Sequence, residues 1–177
     1  GLGKTHSCHH CTPHNIPLNE LRHNYKTLHN TMFKKQQRKL MLEGKRPKEC
    51  DYCWKVEDTS KEYSDRIYKS SEMWVYPDYD KIKSSDWKDD YNPRYIEVSF
   101  SNICNLKCSY CGPFFSTQWV NELKRFGEYP ISGLHDMNQL NFYTKQNEYV
   151  NAFWKWWPEL YENLHTFRIT GGEPLLS

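Results

Sequence analysis

The chain has 177 residues, of which 37% are apolar, and Phe, Trp and Tyr together make up 16%. This length suits one ordinary domain or two small ones. The net charge of +2 is too small to indicate a nucleic-acid partner. No apolar run approaches the roughly 18 residues that would cross a membrane, and there is no signal-peptide pattern, so we expect neither a nucleic-acid nor a membrane partner.

The seven cysteines fall into three local sets with the spacings C-x2-C, C-x2-C and C-x3-C-x2-C. A disulfide framework need not space them this way, and an odd number favours metal ligation in a reducing compartment. We therefore expect a cytoplasmic protein in which every cysteine is a metal ligand. The candidates are Cys8, Cys11, Cys50, Cys53, Cys104, Cys108 and Cys111.

The first two cysteine sets flank one predicted helix. Thr31 can cap this helix and Gly44 can end it, with Phe33, Leu40 and Met41 on its apolar face. The helix would bring the two sets together as one four-thiolate site. Such closed sites are most often structural zinc, and an iron–sulfur cluster is the alternative. Four histidines surround the first set and are further candidate ligands: His6, His9, His10 and His14.

A polar, tyrosine-rich connector follows over residues 59–93, and the turn signals near its end predict a domain boundary near residue 90. Tyr95–Phe100 then alternates apolar and polar residues, which predicts a strand with one buried face. The third cysteine set comes directly after it. Three thiolates without a neighbouring fourth leave one iron of a cluster open to a non-protein ligand, which indicates a catalytic cluster.

The remaining elements alternate between helix and strand. Ser116 can cap a helix that ends at Gly127. Residues 128–143 suggest an irregular insertion, and Thr144–Trp157 predicts a second helix. The apolar stripe of this helix comprises Tyr149, Val150, Phe153, Trp154 and Trp157. Leu164–Thr170 predicts a second strand, which runs into Gly171-Gly-Glu-Pro174.

Two of these segments resemble a known family. Ser101–Gly112, with Tyr110 before the third cysteine, is similar to the cluster loop of radical S-adenosylmethionine (SAM) enzymes, and Thr166–Pro174 resembles the family's second strand and its Gly-Gly-Glu-Pro turn. The resemblance implies that the loop holds a [4Fe–4S] cluster whose fourth iron binds SAM. It also implies that Tyr110 lies beside the adenine. The turn would contact the methionine part of SAM through Gly171, Gly172 and Glu173.

The activity that this resemblance implies is oxidoreductase-type radical chemistry. The reduced cluster would cleave SAM, and the resulting 5′-deoxyadenosyl radical would abstract a hydrogen from the substrate. The implied partners are a reductant such as ferredoxin or flavodoxin, and a peptide or protein that supplies the substrate side chain.

The region Lys39–Glu57 resembles the auxiliary-cluster modules called SPASM or Twitch. This implies an auxiliary [4Fe–4S] cluster, with zinc as the alternative, in a module and linker over residues 1–90. Residues 91–177 would then form the first two βα units of a partial TIM-type α/β barrel. We expect further units beyond Ser177, and expect this portion alone to be inactive. The competing hypothesis is a non-enzymatic zinc-ribbon or treble-clef interaction module in which all seven cysteines bind zinc.

Overall fold

The computed structural model describes residues 1–127 and 147–176. These residues divide into two compact units. The strand unit comprises the described parts of Gly1–Leu2, Tyr95–Asn151 and Thr166–Ser177, and the knuckle unit comprises Gly3–Arg94 and Ala152–His165. None of the described helices is long and apolar enough to span a membrane.

The knuckle unit begins with a short antiparallel ribbon of β1 (Lys4–Thr5) and β2 (His14–Asn15). Helices follow it, joined by short turns, several of which are 3₁₀. These helices are α1 (Leu18–His23), α2 (Met32–Leu42), α3 (Asp51–Thr59), α4 (Asp65–Ser70) and α5 (Tyr79–Ser84).

The predicted ends of α2 are confirmed, but its apolar face is not the buried one, since of its three residues only Leu40 is half-buried. The Thr31 hydroxyl accepts from the Lys34 backbone N–H at 3.2 Å, and Gly44 follows the helix with φ of +70°. Phe33 and Met41 are 42% and 37% exposed, whereas Lys34 is only 5% exposed. Lys34 is buried because its ammonium group finds oxygen and nitrogen partners inside the unit, which offset part of the cost of removing a charge from water.

The strand unit contains β3 (Tyr95–Ser99) and β4 (Thr166–Thr170), which pair in parallel from Tyr95 opposite Thr166 to Ser99 opposite Thr170. Ile96 and Val98 are half-buried and their neighbours exposed, as the alternation predicted. This pair is the whole of the parallel sheet within residues 1–127 and 147–176, so the larger barrel remains a prediction. The predicted helix after the cysteine loop is confirmed as α6 (Thr117–Phe126), which Ser116 caps and Gly127 ends.

The last helix, α7 (Glu148–Leu160), differs from its prediction in its end and its buried face. It continues past Pro158, and its buried side chains are Ala152, Phe153, Trp156 and Leu160. Trp154 is 52% exposed, whereas Trp156 is fully buried because its indole N–H donates to the Asn92 side-chain oxygen at 3.1 Å. The predicted insertion at residues 128–143 and the predicted helix start at Thr144 lie outside the described residues.

Candidate functional site

The third cysteine set and the glycine-rich turn lie at the same edge of the parallel strand pair. The loop with Cys104, Cys108 and Cys111 follows β3, and the turn from Gly171 to Pro174 follows β4. The strands are parallel and in register, so both segments leave from their carboxyl ends. Two motifs that are distant in sequence are thereby brought together.

The start of α6 holds the backbone of this cysteine loop. The Thr117 hydroxyl donates to the Cys104 carbonyl at 2.9 Å, the Ser116 hydroxyl to the Leu106 carbonyl at 2.7 Å, and the Trp119 indole to the Cys108 carbonyl at 3.1 Å. These bonds use carbonyl oxygens and leave the sulfur ligands out of the scaffold. The loop is therefore shaped by contacts that do not depend on a bound metal.

The sulfur of Cys104 already accepts a backbone hydrogen bond. The Leu106 N–H donates to Cys104 Sγ at 3.3 Å, and Cys104 is the buried member of the set. Backbone N–H donors to thiolate sulfur are among the features that tune iron–sulfur clusters. The donor set and its hydrogen bonding therefore suit a cluster bound by three cysteines.

The glycine-rich turn docks directly onto the cysteine loop. The Gly172 N–H donates to the Phe115 carbonyl at 3.0 Å, and the Glu173 N–H donates to the Ile103 carbonyl at 2.7 Å. Gly171 and Gly172 have φ of +76° and +62°, in the left-handed region that favours glycine. A Cβ at Gly172 would overlap the Ile103 carbonyl oxygen and lie 3.1 Å from the Ser101 carbonyl oxygen. The cysteine loop therefore requires glycine at position 172, whereas a Cβ at Gly171 would overlap the Ser99 side chain of β3.

The structure places the two other predicted cofactor contacts, Glu173 and Tyr110, at the surface of this assembly. Glu173 is half-buried, and its carboxylate accepts from the Leu175 N–H at 3.3 Å. Tyr110 is 91% exposed, and its hydroxyl hydrogen-bonds with Cys108, which raises the pKa of Tyr110. Tyr110 therefore adjoins the sulfur of Cys108, whereas the Glu173 carboxylate contacts its own turn.

The first two cysteine sets come together in the knuckle unit. Cys8 and Cys11 lie on the loop between β1 and β2, Cys50 directly precedes α3, and Cys53 is in the first turn of that helix. The sulfurs of Cys8 and Cys11 are 3.4 Å apart. The Cys11 thiol also hydrogen-bonds with Cys50, which raises the pKa of Cys11 to about 11 and lowers that of Cys50. A metal ion would replace the shared protons.

One pair of sulfurs in the knuckle unit is spaced as ligands of a single zinc ion are. Zinc binds sulfur at about 2.3 Å, so four sulfurs around it lie roughly 3.8 Å apart, and the Cys8 and Cys11 sulfurs lie 3.4 Å apart. A cubane cluster separates its cysteine sulfurs further, because each binds a different iron. Binding of a cluster would therefore require these two sulfurs to move apart.

The four-cysteine site borders a cavity of about 710 Å³ within the knuckle unit. Cys50 and Glu49 line one part of it, and Lys34 and Arg38 line another. Desolvation raises the pKa of Glu49, and its Oε1 is buried without a hydrogen-bond partner. The cavity therefore reaches one of the four cysteines, and both acidic and basic side chains line it.

Lys34 supplies a buried positive charge beside these cysteines. Its ammonium group donates to the Thr5 hydroxyl at 2.8 Å and to the His6 carbonyl at 3.1 Å. Burial lowers the pKa of Lys34 to about 8, while the negative charges of Glu49 and Cys11 oppose that shift. A metal centre with four thiolates carries a net negative charge, which this ammonium would offset.

Lys34→Met should therefore weaken metal binding without destabilising the metal-free fold. Two unit charges about 8 Å apart interact by about 2 kcal/mol at an effective dielectric constant of about 20, so we expect metal affinity to fall roughly ten- to thirty-fold. The free energy of unfolding of the metal-free protein should change little, because the removed cost of burying a charge offsets the loss of the hydrogen bonds to Thr5 and His6. A competition titration with Zn²⁺ and a chelator, together with urea denaturation, measures both.

The matched control is Lys39→Met on the same helix, since Lys39 is exposed and pairs with Glu43. It should leave metal affinity unchanged. If Lys34→Met lowers the stability of the metal-free fold and leaves metal affinity intact, Lys34 acts only as a structural link between the ribbon and α2.

Comparison of the chain with protein-family models, curated proteins and solved structures found no match. The assignment of the site therefore depends on its residues and their geometry.

Proposed function

We propose that this protein is a radical SAM enzyme in which Cys104, Cys108 and Cys111 hold a [4Fe–4S] cluster. The observation that carries the proposal is the docking of the Gly-Gly-Glu-Pro turn onto the cysteine loop through two backbone hydrogen bonds. Both motifs leave the carboxyl ends of adjacent parallel strands, where α/β folds gather their binding sites. A first pair of barrel strands, as the sequence predicts, is compatible with this arrangement.

Each residue of the site would have a distinct task. The three sulfurs bind three irons, and the Leu106 N–H stabilises the charge on Cys104. When bound, the cluster supplies the electron that cleaves SAM. The Glu173 backbone N–H donates to the Ile103 carbonyl, and this bond fixes the turn. The Glu173 carboxylate would then accept a hydrogen bond from the amino group of SAM.

In the knuckle unit we propose a metal centre bound by Cys8, Cys11, Cys50 and Cys53. The resemblance of Lys39–Glu57 to auxiliary-cluster modules supports an auxiliary [4Fe–4S] cluster, and the bordering cavity gives space beside Cys50. The second candidate is structural zinc, and one feature favours it: two ligands from a hairpin loop and two from a helix's first turn suit a closed four-thiolate site. If the knuckle unit and the strand unit both hold zinc, the protein would be a non-enzymatic interaction module.

The proposed enzyme would act in the cytoplasm with ferredoxin or flavodoxin as reductant. Its proposed substrate is a side chain of a peptide or protein. The free thiol state of all seven cysteines suits a reducing compartment.

Glu173→Gln tests the proposed function. After anaerobic reconstitution with iron and sulfide, the reduced wild-type cluster should respond to SAM, as followed by electron paramagnetic resonance. The substitution keeps the size of the side chain but removes its charge. A hydrogen bond to a charged group contributes about 1.5–3 kcal/mol, so SAM affinity should fall roughly ten- to a hundred-fold.

The cluster itself should assemble normally in Glu173→Gln, because Glu173 is not a ligand and its backbone bond to Ile103 is retained. Glu97→Gln, on the exposed side of β3, is the matched control and should leave SAM affinity unchanged. A wild-type protein that binds zinc in both sites and gives no SAM-dependent signal would contradict the proposal and favour the interaction module.

A further inference from the structure

The two histidines between Cys8 and Cys11 contact one carboxylate that is distant in sequence but lies in the same unit. His10 Nε2 lies 2.6 Å and His9 Nε2 lies 3.2 Å from the same oxygen, Oδ2 of Asp65. All three ligand atoms lie within 4.8 Å of one another. Two nitrogen donors and one oxygen donor therefore already surround a common point.

The protein holds these side chains from both sides. The His10 ring stacks on Tyr52 with centroids 3.8 Å apart, and the turn that carries both histidines is closed by a backbone bond from Cys11 to Cys8. Asp65 is the first residue of α4, and the neighbouring Ser64 caps that helix.

The residues that flank Asp65 are themselves fixed to α3. The Ser64 hydroxyl donates to the Glu57 carboxylate, which also receives the Arg66 guanidinium at 2.7 Å. Arg66 in turn lies over the Trp54 ring, 4.2 Å from its centroid. Ligands on supported backbone need little reorganisation when an ion binds, which is the condition for a preorganised metal site.

We propose that His9, His10 and Asp65 bind a divalent first-row transition-metal ion that is separate from the cysteine sites. Imidazole nitrogen and carboxylate oxygen suit Zn²⁺, Co²⁺, Ni²⁺ and Fe²⁺. The ion would replace the two N–H···O contacts to Asp65 with three metal bonds. It would also tie the knuckle loop to α4, across 55 residues of sequence.

The ion would keep open positions. The side chains of His9 and Asp65 are 67% and 45% exposed, so water or a small oxygen ligand can reach it from solvent. Two histidines and one carboxylate with open positions form the ligand pattern of metal centres that bind exogenous ligands. The cysteine sites differ in chemistry, because thiolates are soft ligands that favour softer metal ions and iron–sulfur clusters.

Cobalt titration separates this site from the thiolates. The full chain is first given just enough Zn²⁺ anaerobically to fill its cysteine sites, and Co²⁺ is then added. We expect one further equivalent of Co²⁺ to bind with weak visible d–d bands and without thiolate-to-cobalt charge-transfer bands. Asp65→Asn and His9→Gln should each lower the affinity for Co²⁺ by roughly ten-fold or more, because even the loss of an outer-shell partner of a metal ligand costs about that much.

The controls are His23→Gln on α1 and Asp58→Asn near the end of α3, which change an exposed histidine and an exposed aspartate elsewhere in the unit. Both should bind Co²⁺ as the wild type does. His9 is exposed, so its replacement should not disturb folding, which circular dichroism checks. Equal cobalt affinity in the wild type, Asp65→Asn and His9→Gln would overturn the proposal, as would charge-transfer bands that accompany all bound cobalt.

Discussion

Cys108→Ala should abolish the SAM-responsive cluster and remove about four irons per chain after reconstitution. One of three anchoring thiolates is lost, and the loop has no fourth cysteine to replace it. The loop backbone should nevertheless persist, because Trp119 contacts Cys108 through its carbonyl oxygen, which alanine retains. Iron analysis and electron paramagnetic resonance of the reduced protein measure the outcome. An unchanged circular dichroism spectrum would show that the cluster is lost because a ligand is missing and not because the protein unfolds.

Cys50→Ala is the matched control from the other cysteine set. The SAM-responsive signal should remain, and the metal centre of the knuckle unit should be lost. Metal analysis would then show a loss of about four irons or of one zinc ion, and this result identifies the metal of the knuckle unit. A Cys50→Ala protein without any SAM-responsive signal would show that the two cysteine sets exchange ligands and would contradict the proposal of two independent sites.

Gly172→Ala should unfold the junction between the turn and the cysteine loop. The left-handed conformation of Gly172 costs an alanine about 1–2 kcal/mol. The added Cβ also overlaps the Ile103 carbonyl oxygen, a backbone atom that cannot rotate away. We expect a total loss of about 2–4 kcal/mol and a cluster that forms poorly, because Ile103 directly precedes Cys104. Urea denaturation and iron retained per chain measure the two effects.

Two other glycines separate the causes. Gly44 has φ of +70°, close to the +62° of Gly172, with nothing within 4 Å of its added Cβ, so Gly44→Ala should show the conformational cost alone. Gly112 follows the third cysteine of the loop, and its added Cβ also has open space, so Gly112→Ala should retain the cluster. If Gly172→Ala costs no more than Gly44→Ala, the close approach of turn and loop has no energetic consequence.

The metal-ligand candidates could be picked out from sequence because cysteine spacing is a local pattern. Three features of the site could not. Glu49 and Lys34 adjoin the cysteines without any motif, and Asp65 meets His9 and His10 from 55 residues away. The clustering of histidines around Cys8 and Cys11 was the signal available in the sequence, and it identified two of the three residues of the His–Asp group.

The sequence alone determined where α2 and α6 begin and end. Thr31 and Ser116 cap these helices as predicted, and Gly44 and Gly127 follow them with positive φ. Such caps depend on hydrogen bonds within about four residues, so the local sequence contains all the partners. The period of β3 is local in the same way.

Only the tertiary structure decided which side chains each element buries and what the glycine turn contacts. On α2 the lysine is buried while Phe33 and Met41 are exposed, and on α7 Trp156 replaces Trp154 in the core. A hydrogen bond to Asn92, 64 residues away, selects Trp156. Gly172 likewise meets the Ile103 carbonyl only because β3 and β4 pair in parallel. Burial follows from partners distant in sequence, and periodicity within one element contains no information about them.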